Sequence, residues 1–217
     1  MTPICTFVDL SGNNPIKDAP AAMRAIKDAG HAGVYLKATQ GRSYDFARLE
    51  LWHGAAVAAG LRVGAYHFAV PDARPGDAAG EAADLLDRIK GLALDWPLVL
   101  DLEQNGSKEH KLAPLPPAHL VAWAAIWLHD VEFATGRKPL LYTGPAFWRA
   151  QLGRHGFVAD WPVWVAAYPA KTPQLEAAPP KLGSVQPAVW QYTGHGHVPG
   201  IAGDVDINRA YVDLDAL

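Results

Sequence analysis

Residues 97–103 read Pro-Leu-Val-Leu-Asp-Leu-Glu, a short apolar run that ends in two acidic residues. A run of this kind is typical of a β-strand buried on both faces, as in parallel sheets covered by helices. Side chains alternate along a strand, so Asp101 and Glu103 should point to the same side with their backbones ~6.5–7 Å apart. The segment therefore predicts a buried strand with a pair of carboxylates at its carboxyl end.

Strand-like and helix-like segments alternate on both sides of residues 97–103. In chain order we predict strand 4–8, helix 21–29, strand 33–38, helix 46–59 capped by Asp45, strand 62–68, helix 78–94, strand 97–103, helix 118–135, strand 139–142, helix 145–152, and strands 163–166, 188–192 and 205–207. The last three strands are joined by Pro-rich segments without a helical pattern. This order predicts an α/β fold, a modified TIM-like parallel barrel of roughly eight strands in which five β/α units precede three strands with few or no helices.

The composition narrows the class of protein. The 217 residues are 50% hydrophobic and 19% charged, which excludes intrinsic disorder. The 19 basic and 22 acidic residues provide no basic stripe, so nucleic acid is not an expected partner. The single cysteine, Cys5, excludes an internal disulfide framework and a zinc site built on several thiolates. No segment reads as a linker, so we expect one domain over residues 1–217.

The N-terminus and the apolar runs show neither a targeting signal nor a membrane span. The first residues show no basic region followed by an apolar stretch, so no signal peptide is expected. The longest apolar run, near residues 122–128, is far shorter than the ~20 residues of a membrane span. We therefore expect no membrane insertion, and the sequence does not indicate an export route.

Acidic residues lie at the ends of several predicted strands. Asp9 ends the first strand, Asp101 and Glu103 end the fourth, and Asp206 lies in the last. In an α/β barrel the carboxyl ends of the strands converge on the face that carries the active site. Two adjacent carboxyl groups shift each other's pKa values apart, so one can stay neutral while the other is ionised. That combination suits glycosidic bond cleavage, although Asp9 and Asp206 could instead bond to the turns beside them.

Aromatic residues and one histidine also lie near strand ends. Tyr66, Tyr142 and Trp190 could stack on sugar rings in a cleft, or pack in the barrel core. His67 should alternate away from Tyr66, which favours a hydrogen-bonded core histidine. The tryptophans that lie on predicted helices are expected in the core, and these are Trp52, Trp123, Trp127 and Trp148.

Metal binding is the rival chemistry. The four acids, together with His195 and His197, could form an oxygen-rich or mixed site. However, the sequence has no His-Glu-x-x-His motif, and His195-Gly196-His197 lies in a Gly-rich loop without an acidic partner at a fixed offset. It also lacks a Gly-x-Ser-x-Gly elbow, a Walker loop and a Gly-x-Gly-x-x-Gly motif. We predict no metal and no cofactor.

Several different short sequence blocks are spread along nearly the whole chain. In order these are Phe7–Ser11, Tyr35–Gly41, Gly64–Phe68, Leu100–Glu103, Leu141–Thr143, Val163–Ala166, Trp190–Tyr192 and Gly203–Asn208. As an ordered set they closely resemble the glycoside hydrolase family 25 lysozymes, which are N-acetylmuramidases. The resemblance implies a barrel of five β/α units followed by three strands, and cleavage of the β-1,4 bond between N-acetylmuramic acid and N-acetylglucosamine. It implies peptidoglycan glycan strands as partner and action at the cell wall, extracellular or periplasmic, and we expect a monomer.

The resemblance also assigns roles to residues. Glu103 resembles the family's general acid and Asp101 its partner carboxylate, while Asp9 and Asp206 resemble two further acids of the cleft. Tyr66 resembles a site tyrosine of the family, and we predict substrate binding by Tyr66, Tyr142, Trp190, Gln191, Lys37 and Gln40. Gln40 stands where many members carry Glu, so a charge is missing there, although an amide can still bond a sugar hydroxyl. The alternatives are a non-catalytic peptidoglycan-binding barrel and a metal-dependent carbohydrate deacetylase or amidase.

Overall fold

The structure is a computed structural model that describes residues 1–104, 115–157 and 160–217. Its elements are, in chain order, β1 (Cys5–Leu10), α1 (Ala19–Asp28), β2 (Gly33–Gln40), β3 (Tyr44–Asp45), α2 (Leu49–Ala58), β4 (Arg62–Phe68), α3 (Asp77–Arg88), β5 (Val99–Asp101), α4 (Pro117–Thr135), β6 (Leu140–Thr143), α5 (Pro145–Phe147) with a π-helical turn (Trp148–Leu152), β7 (Val163–Ala166), β8 (Val189–Gly196) and β9 (Val205–Ala210). Nearly all of the predicted elements are therefore present.

Eight of the strands in the described residues close into a barrel. Their order is β1-β9-β8-β7-β6-β5-β4-β2, and pairing of β2 with β1 closes the ring. This arrangement, with five helices, confirms the predicted α/β barrel and its helix-poor final third. The expectation of an all-parallel barrel was wrong, because β9 runs antiparallel to both β8 and β1. Residues 197–204 join β8 to β9 directly, whereas a parallel pair needs a crossover of about a dozen residues or more.

The region after β2 differs from the prediction. The chain turns back at residues 41–43 and forms the short strand β3, antiparallel to β2, which the sequence analysis missed. Asp45 lies in β3 and does not cap α2. The helix starts later, after Arg48, and no side chain caps it. The Arg48 guanidinium donates to the carbonyl of Ile16.

Side-chain alternation divides the apolar residues into two cores. Leu100 of β5 and the flanking Leu98 and Leu102 lie outside the barrel, in the core beneath the helices. The inner core fills one end of the barrel with aromatic rings, whose centroids lie 5.1 to 5.5 Å apart. These rings belong to Phe7, Tyr35, Trp96 and Trp164. The barrel is therefore closed by aromatic side chains at one end, and polar side chains occupy the other.

Gly64 makes this ring packing possible. A Cβ atom at Gly64 would lie 2.2 Å from the Tyr35 ring, so a larger residue would displace the tyrosine. The tryptophans predicted on helices are indeed in the core, and Trp52, Trp123, Trp127 and Trp148 are all buried. Within the described parts of the chain, none of the helices combines the length and the apolar character that a membrane crossing requires.

His67 is a fully buried, hydrogen-bonded core histidine, as its position in the strand predicted. Its Nδ1 lies 2.8 Å from the Thr39 hydroxyl, and its Nε2 lies 2.7 Å from a carboxylate oxygen of Glu81. The ring stacks on Trp127, and Glu81 also accepts the backbone N–H of Val70. The histidine thus ties β2 and β4 to α3.

We expect His67→Ala to lower the free energy of unfolding by about 3–5 kcal/mol. The substitution removes the ring that bonds the buried Glu81 carboxylate and leaves a cavity beside Trp127. Urea denaturation measures this effect, and His155→Ala is the control because His155 is exposed and should change the value by less than ~0.5 kcal/mol. A loss below about 1 kcal/mol for His67→Ala would contradict the role assigned to this network.

Candidate active site

A polar pocket of about 250 Å³ opens at the barrel end opposite the aromatic rings. It lies there because alternate residues of each strand point inward, so a polar residue follows an inner-core residue two positions later. On β1 this pair is Phe7 and Asp9, and on β5 it is Val99 and Asp101. The predicted site residues that line the pocket are Asp9, Lys37, Tyr66, Asp101, Glu103, Tyr142, Gln191 and Asp206.

The four predicted acids meet in this pocket although they come from distant parts of the chain. Asp101 ends β5, and Glu103 follows two residues later on the same side. Asp206 lies at the start of β9, and the reversed direction of β9 brings that start to the same rim as the end of β1. Asp9 and Asp206 are directly paired across β1 and β9, so two carboxyl groups face each other on one side of the sheet.

Two side-chain amides hold the Asp9 carboxylate. Gln191 Nε2 and Asn208 Nδ2 both donate to Asp9 Oδ2, at 2.9 and 2.8 Å. The amides are oriented by donors on their other side, since Trp164 Nε1 donates to Asn208 Oδ1 and the Tyr142 hydroxyl donates to Gln191 Oε1. Asp9 is therefore held in a fixed orientation by groups that favour its charged form.

Burial raises the pKa of all four of these carboxyl groups, and repulsion by a neighbouring carboxylate raises the pKa of Asp101, Glu103 and Asp206 further. Burial raises the pKa of Asp9 to about 6, against the amide hydrogen bonds, which lower it. Burial, and then the charges of Asp9 and Glu103, raise the pKa of Asp206 to about 8. For Asp101 and Glu103, burial and then a neighbouring carboxylate also raise the pKa, while the charge of Lys37 lowers it. The site can thus hold protons near neutral pH, as a general acid requires.

Asp101 has an unused acceptor atom. Its Oδ1 is buried and has no hydrogen-bond partner among the described residues. A buried carboxylate oxygen without a partner is costly, so such an atom is expected where a ligand completes the hydrogen bond. Asp101 lines the same pocket as Glu103.

Lys37 supplies a cation at the edge of the pocket. Its ammonium group donates to Gln40 Oε1 at 2.6 Å and lies 4.6 Å from the centroid of the Phe68 ring. Burial lowers the pKa of Lys37, and the charges of Asp101 and Glu103 oppose that shift. Gln40 itself does not line the pocket and lies in an adjoining depression.

Trp190 is the predicted binding residue that the structure places elsewhere. Because its neighbour Gln191 points into the barrel, Trp190 points out and is buried in the core beneath the helices. Its indole N–H donates to the carbonyl of Ala167. The prediction that Trp190 stacks on a sugar in the pocket is therefore wrong.

The His195 region also differs from the sequence analysis. His195 belongs to β8, and its ring lies 2.8 Å from the carboxylate of Asp204, an acidic partner that the sequence analysis did not find. This pair is largely exposed to solvent. Among the residues that the structure describes, no group of three or more His, Cys, Asp or Glu side chains is arranged to hold a metal ion.

Several pocket residues were missed. Tyr168 lies just after β7, and its hydroxyl also donates to Gln191 Oε1. Ser11 and Asn13, in the segment after β1, line the pocket beside Asp9. Asn208 does not line the pocket but holds Asp9, and it could have been found because it lies two residues after Asp206 and must share its side of the strand. Tyr168 had no comparable signal, because it follows its strand in a Pro-rich segment.

We expect Asp206→Asn to stabilise the protein by roughly 1 kcal/mol or more at pH 8, with little effect near pH 4. The folded-state pKa of Asp206, about 8, lies above its ordinary value of 3.8, so folding binds a proton between these pH values. Stability is complete below the unfolded pKa and falls as pH rises towards 8, and asparagine removes that loss. Urea unfolding at both pH values measures the difference. A constant difference between the two proteins would contradict the raised pKa.

Comparison with known proteins identifies the family. The sequence pattern of "Glycosyl hydrolases family 25" matches residues 8–201. Lysozyme M1 of Streptomyces globisporus is 32% identical over 189 residues, covering 85% of this chain and 62% of that protein. N,O-diacetylmuramidase of Chalaropsis sp is 35% identical over 155 residues, covering 67% of this chain and 71% of that protein.

A solved structure agrees with these relatives. The bacterial lysozyme of Streptomyces coelicolor superposes with a TM-score of 0.79 at 28% identity, covering 98% of this chain and 96% of that chain. This chain spans less than two thirds of the length of Lysozyme M1. The family pattern includes three of the four pocket acids and most of the barrel, and on these grounds the chain belongs to glycosyl hydrolases family 25.

Proposed function

We propose that the protein is a peptidoglycan muramidase that hydrolyses the β-1,4 bond between N-acetylmuramic acid and N-acetylglucosamine at the cell wall. The observation that carries the proposal is the Asp101–Glu103 pair, two carboxyl groups with raised pKa in one pocket. The names of the relatives, a lysozyme and an N,O-diacetylmuramidase, support the same activity.

In this proposal Glu103 is the general acid. Its raised pKa keeps a proton available for the glycosidic oxygen, and departure of the leaving sugar places positive charge on the anomeric carbon. Asp101, which lines the pocket beside Glu103, accepts a hydrogen bond from the 2-acetamido N–H of the muramic sugar. The acetamido oxygen then attacks the anomeric carbon from the opposite face and forms an oxazolinium ring. Water later attacks the same carbon, which opens the ring, and gives its proton to the Glu103 carboxylate.

The bond that is cut is tested by mass spectrometry of digested peptidoglycan. A muramidase leaves N-acetylmuramic acid at each new reducing end, which reduction with borohydride marks. Reducing ends of N-acetylglucosamine would overturn the proposed bond specificity. Binding to cell walls without new reducing ends would favour the non-catalytic barrel.

The stereochemistry and the metal requirement have separate tests. Assistance by the acetamido group inverts the anomeric carbon twice, so the first product should retain the β configuration in a proton NMR time course. An α product would exclude that assistance. Full activity in EDTA is expected, and its loss with recovery on adding a divalent cation would favour the metal-dependent deacetylase or amidase.

A further inference from the structure

A second polar depression, which we call the alcove, adjoins the catalytic pocket. It has a volume of about 460 Å³ and shares three residues with the pocket, Ser11, Asn13 and Lys37. Its other side chains include Gln40, Ser43 and Tyr44, from the end of β2, the turn and β3. Because the two depressions share these three residues, they lie side by side, and a ligand longer than the pocket can extend into the alcove.

The charges of the two cavities are opposite in sign. Four carboxyl groups line the pocket, whereas the side chains that line the alcove include the ammonium group of Lys37 and no carboxylate. The nearby Asp45 does not line the alcove and belongs to a neighbouring depression that shares Ser43 and Tyr44 with it. An anionic group on a ligand would be repelled by the pocket and attracted by the alcove.

The alcove also presents hydrogen-bond donors. Gln40 Oε1 accepts from Lys37, which turns the amide nitrogen of Gln40 away from the lysine. That nitrogen has no hydrogen-bond partner in the described part of the chain, and the neighbouring Asn13 and Ser43 side chains are exposed. An ammonium group beside amide and hydroxyl donors is a set that binds a carboxylate.

We propose that the alcove binds a carboxylate carried by the glycan strand as the strand lies in the pocket. The inference rests on the proposed function, since a muramic acid residue carries a lactyl ether whose carboxyl group is either free or joined to the stem peptide. The carboxylate is then the lactyl group itself or one of the peptide's carboxylates. In both cases the alcove selects muramic acid over an uncharged sugar at that position.

Binding is measured by calorimetry in the Glu103→Gln background, which prevents turnover. The ligands are a GlcNAc–MurNAc tetrasaccharide with free lactyl carboxylates, the same tetrasaccharide bearing stem peptides, and the uncharged chitotetraose. We expect at least one carboxylate ligand to bind about tenfold or more tightly than chitotetraose, and the preference should weaken at high salt. Preference for the first ligand identifies the lactyl group, and preference for the second alone identifies the peptide. Equal binding of all three overturns the proposal.

Added charge provides a second test of the same preference. Gln40→Glu places a carboxylate beside Lys37 and should reduce the ratio of carboxylate to chitotetraose affinity by about tenfold, and Ser43→Asp should reduce it less. Leu51→Glu, on the exposed surface of α2, adds the same charge away from the alcove and should leave the ratio unchanged. An unchanged ratio in Gln40→Glu, with thermal unfolding as in the parent, overturns the proposal.

The two proposals fail in different ways. If the unsubstituted protein releases no reducing ends but the Glu103→Gln variant still prefers carboxylate ligands, the proposed muramidase activity is wrong. The proposed carboxylate binding in the alcove is then still supported. If the protein releases muramic reducing ends but shows no carboxylate preference, only the alcove is wrong.

Discussion

Glu103→Gln is expected to lower kcat by about 10³-fold or more on peptidoglycan, with KM changed much less. Glutamine has the shape of glutamate but cannot deliver a proton to the glycosidic oxygen. Asp9 is poorly placed to replace Glu103, because two amides hold its carboxylate. The measurement is the initial rate of release of reducing ends.

The control for this substitution is Glu176→Gln. Glu176 is exposed outside the pocket, and its loss should change kcat by less than about twofold. Thermal unfolding checks that Glu103→Gln keeps its fold. A kcat within tenfold of the parent would remove Glu103 from the role of general acid.

The pH profile gives independent information on Glu103. Burial and the charge of Asp9 raise the pKa of the Glu103 carboxyl group above its usual value of 4.5. A general acid works only while protonated, so the rate should fall as the pH rises through that raised pKa. In Glu103→Gln the residual rate should lose this decline on the alkaline side.

Asp101→Asn is expected to lower kcat by about 10²- to 10³-fold. Asparagine keeps the size of the side chain but removes the negative charge that stabilises the transition state. It also leaves only one acceptor oxygen. The amide nitrogen that replaces the other oxygen cannot accept a hydrogen bond from the substrate N–H. The loss should appear in kcat, because the charge matters most when positive charge develops on the sugar.

A chemical counterpart of this substitution separates acetamido assistance from simple charge stabilisation. Glycan whose muramic residues are N-deacetylated lacks the group that Asp101 is proposed to orient, so the parent protein should cleave it about as slowly as Asp101→Asn cleaves the acetylated strand. The substitution should then cost little more on the deacetylated strand, because both changes remove one interaction. Losses that multiply would show that Asp101 acts without the acetamido group.

The fold was predictable from sequence where the pattern was strong. Residues 62–68 and 163–166 match β4 and β7 because their apolar runs end at clear turns. The direction of β9 was not predicted correctly, because strand propensity does not depend on strand direction. Only the short connection from β8 indicates that β9 is antiparallel. The position of β3 was not read either, because two exposed residues have no periodicity to detect.

The site was predictable to the extent that strand alternation could be read. Asp101 and Glu103 share a side because two residues separate them, and that inference needed no tertiary information. Trp190 and Gln191 are adjacent, so they cannot share a side, and the sequence did not reveal which of them faces inward. The amides that hold Asp9 join residues nearly 200 positions apart, 182 for Gln191 and 199 for Asn208, which only the closed ring of strands brings together.

The aromatic rings at the far end of the barrel limit how a polymer can reach the acids. Phe7, Tyr35, Trp96 and Trp164 form a solid floor, with Trp164 also contributing to the pocket wall. A saccharide chain cannot thread through a barrel closed in this way, so in the proposed function the glycan strand reaches the acids only from the open mouth of the pocket.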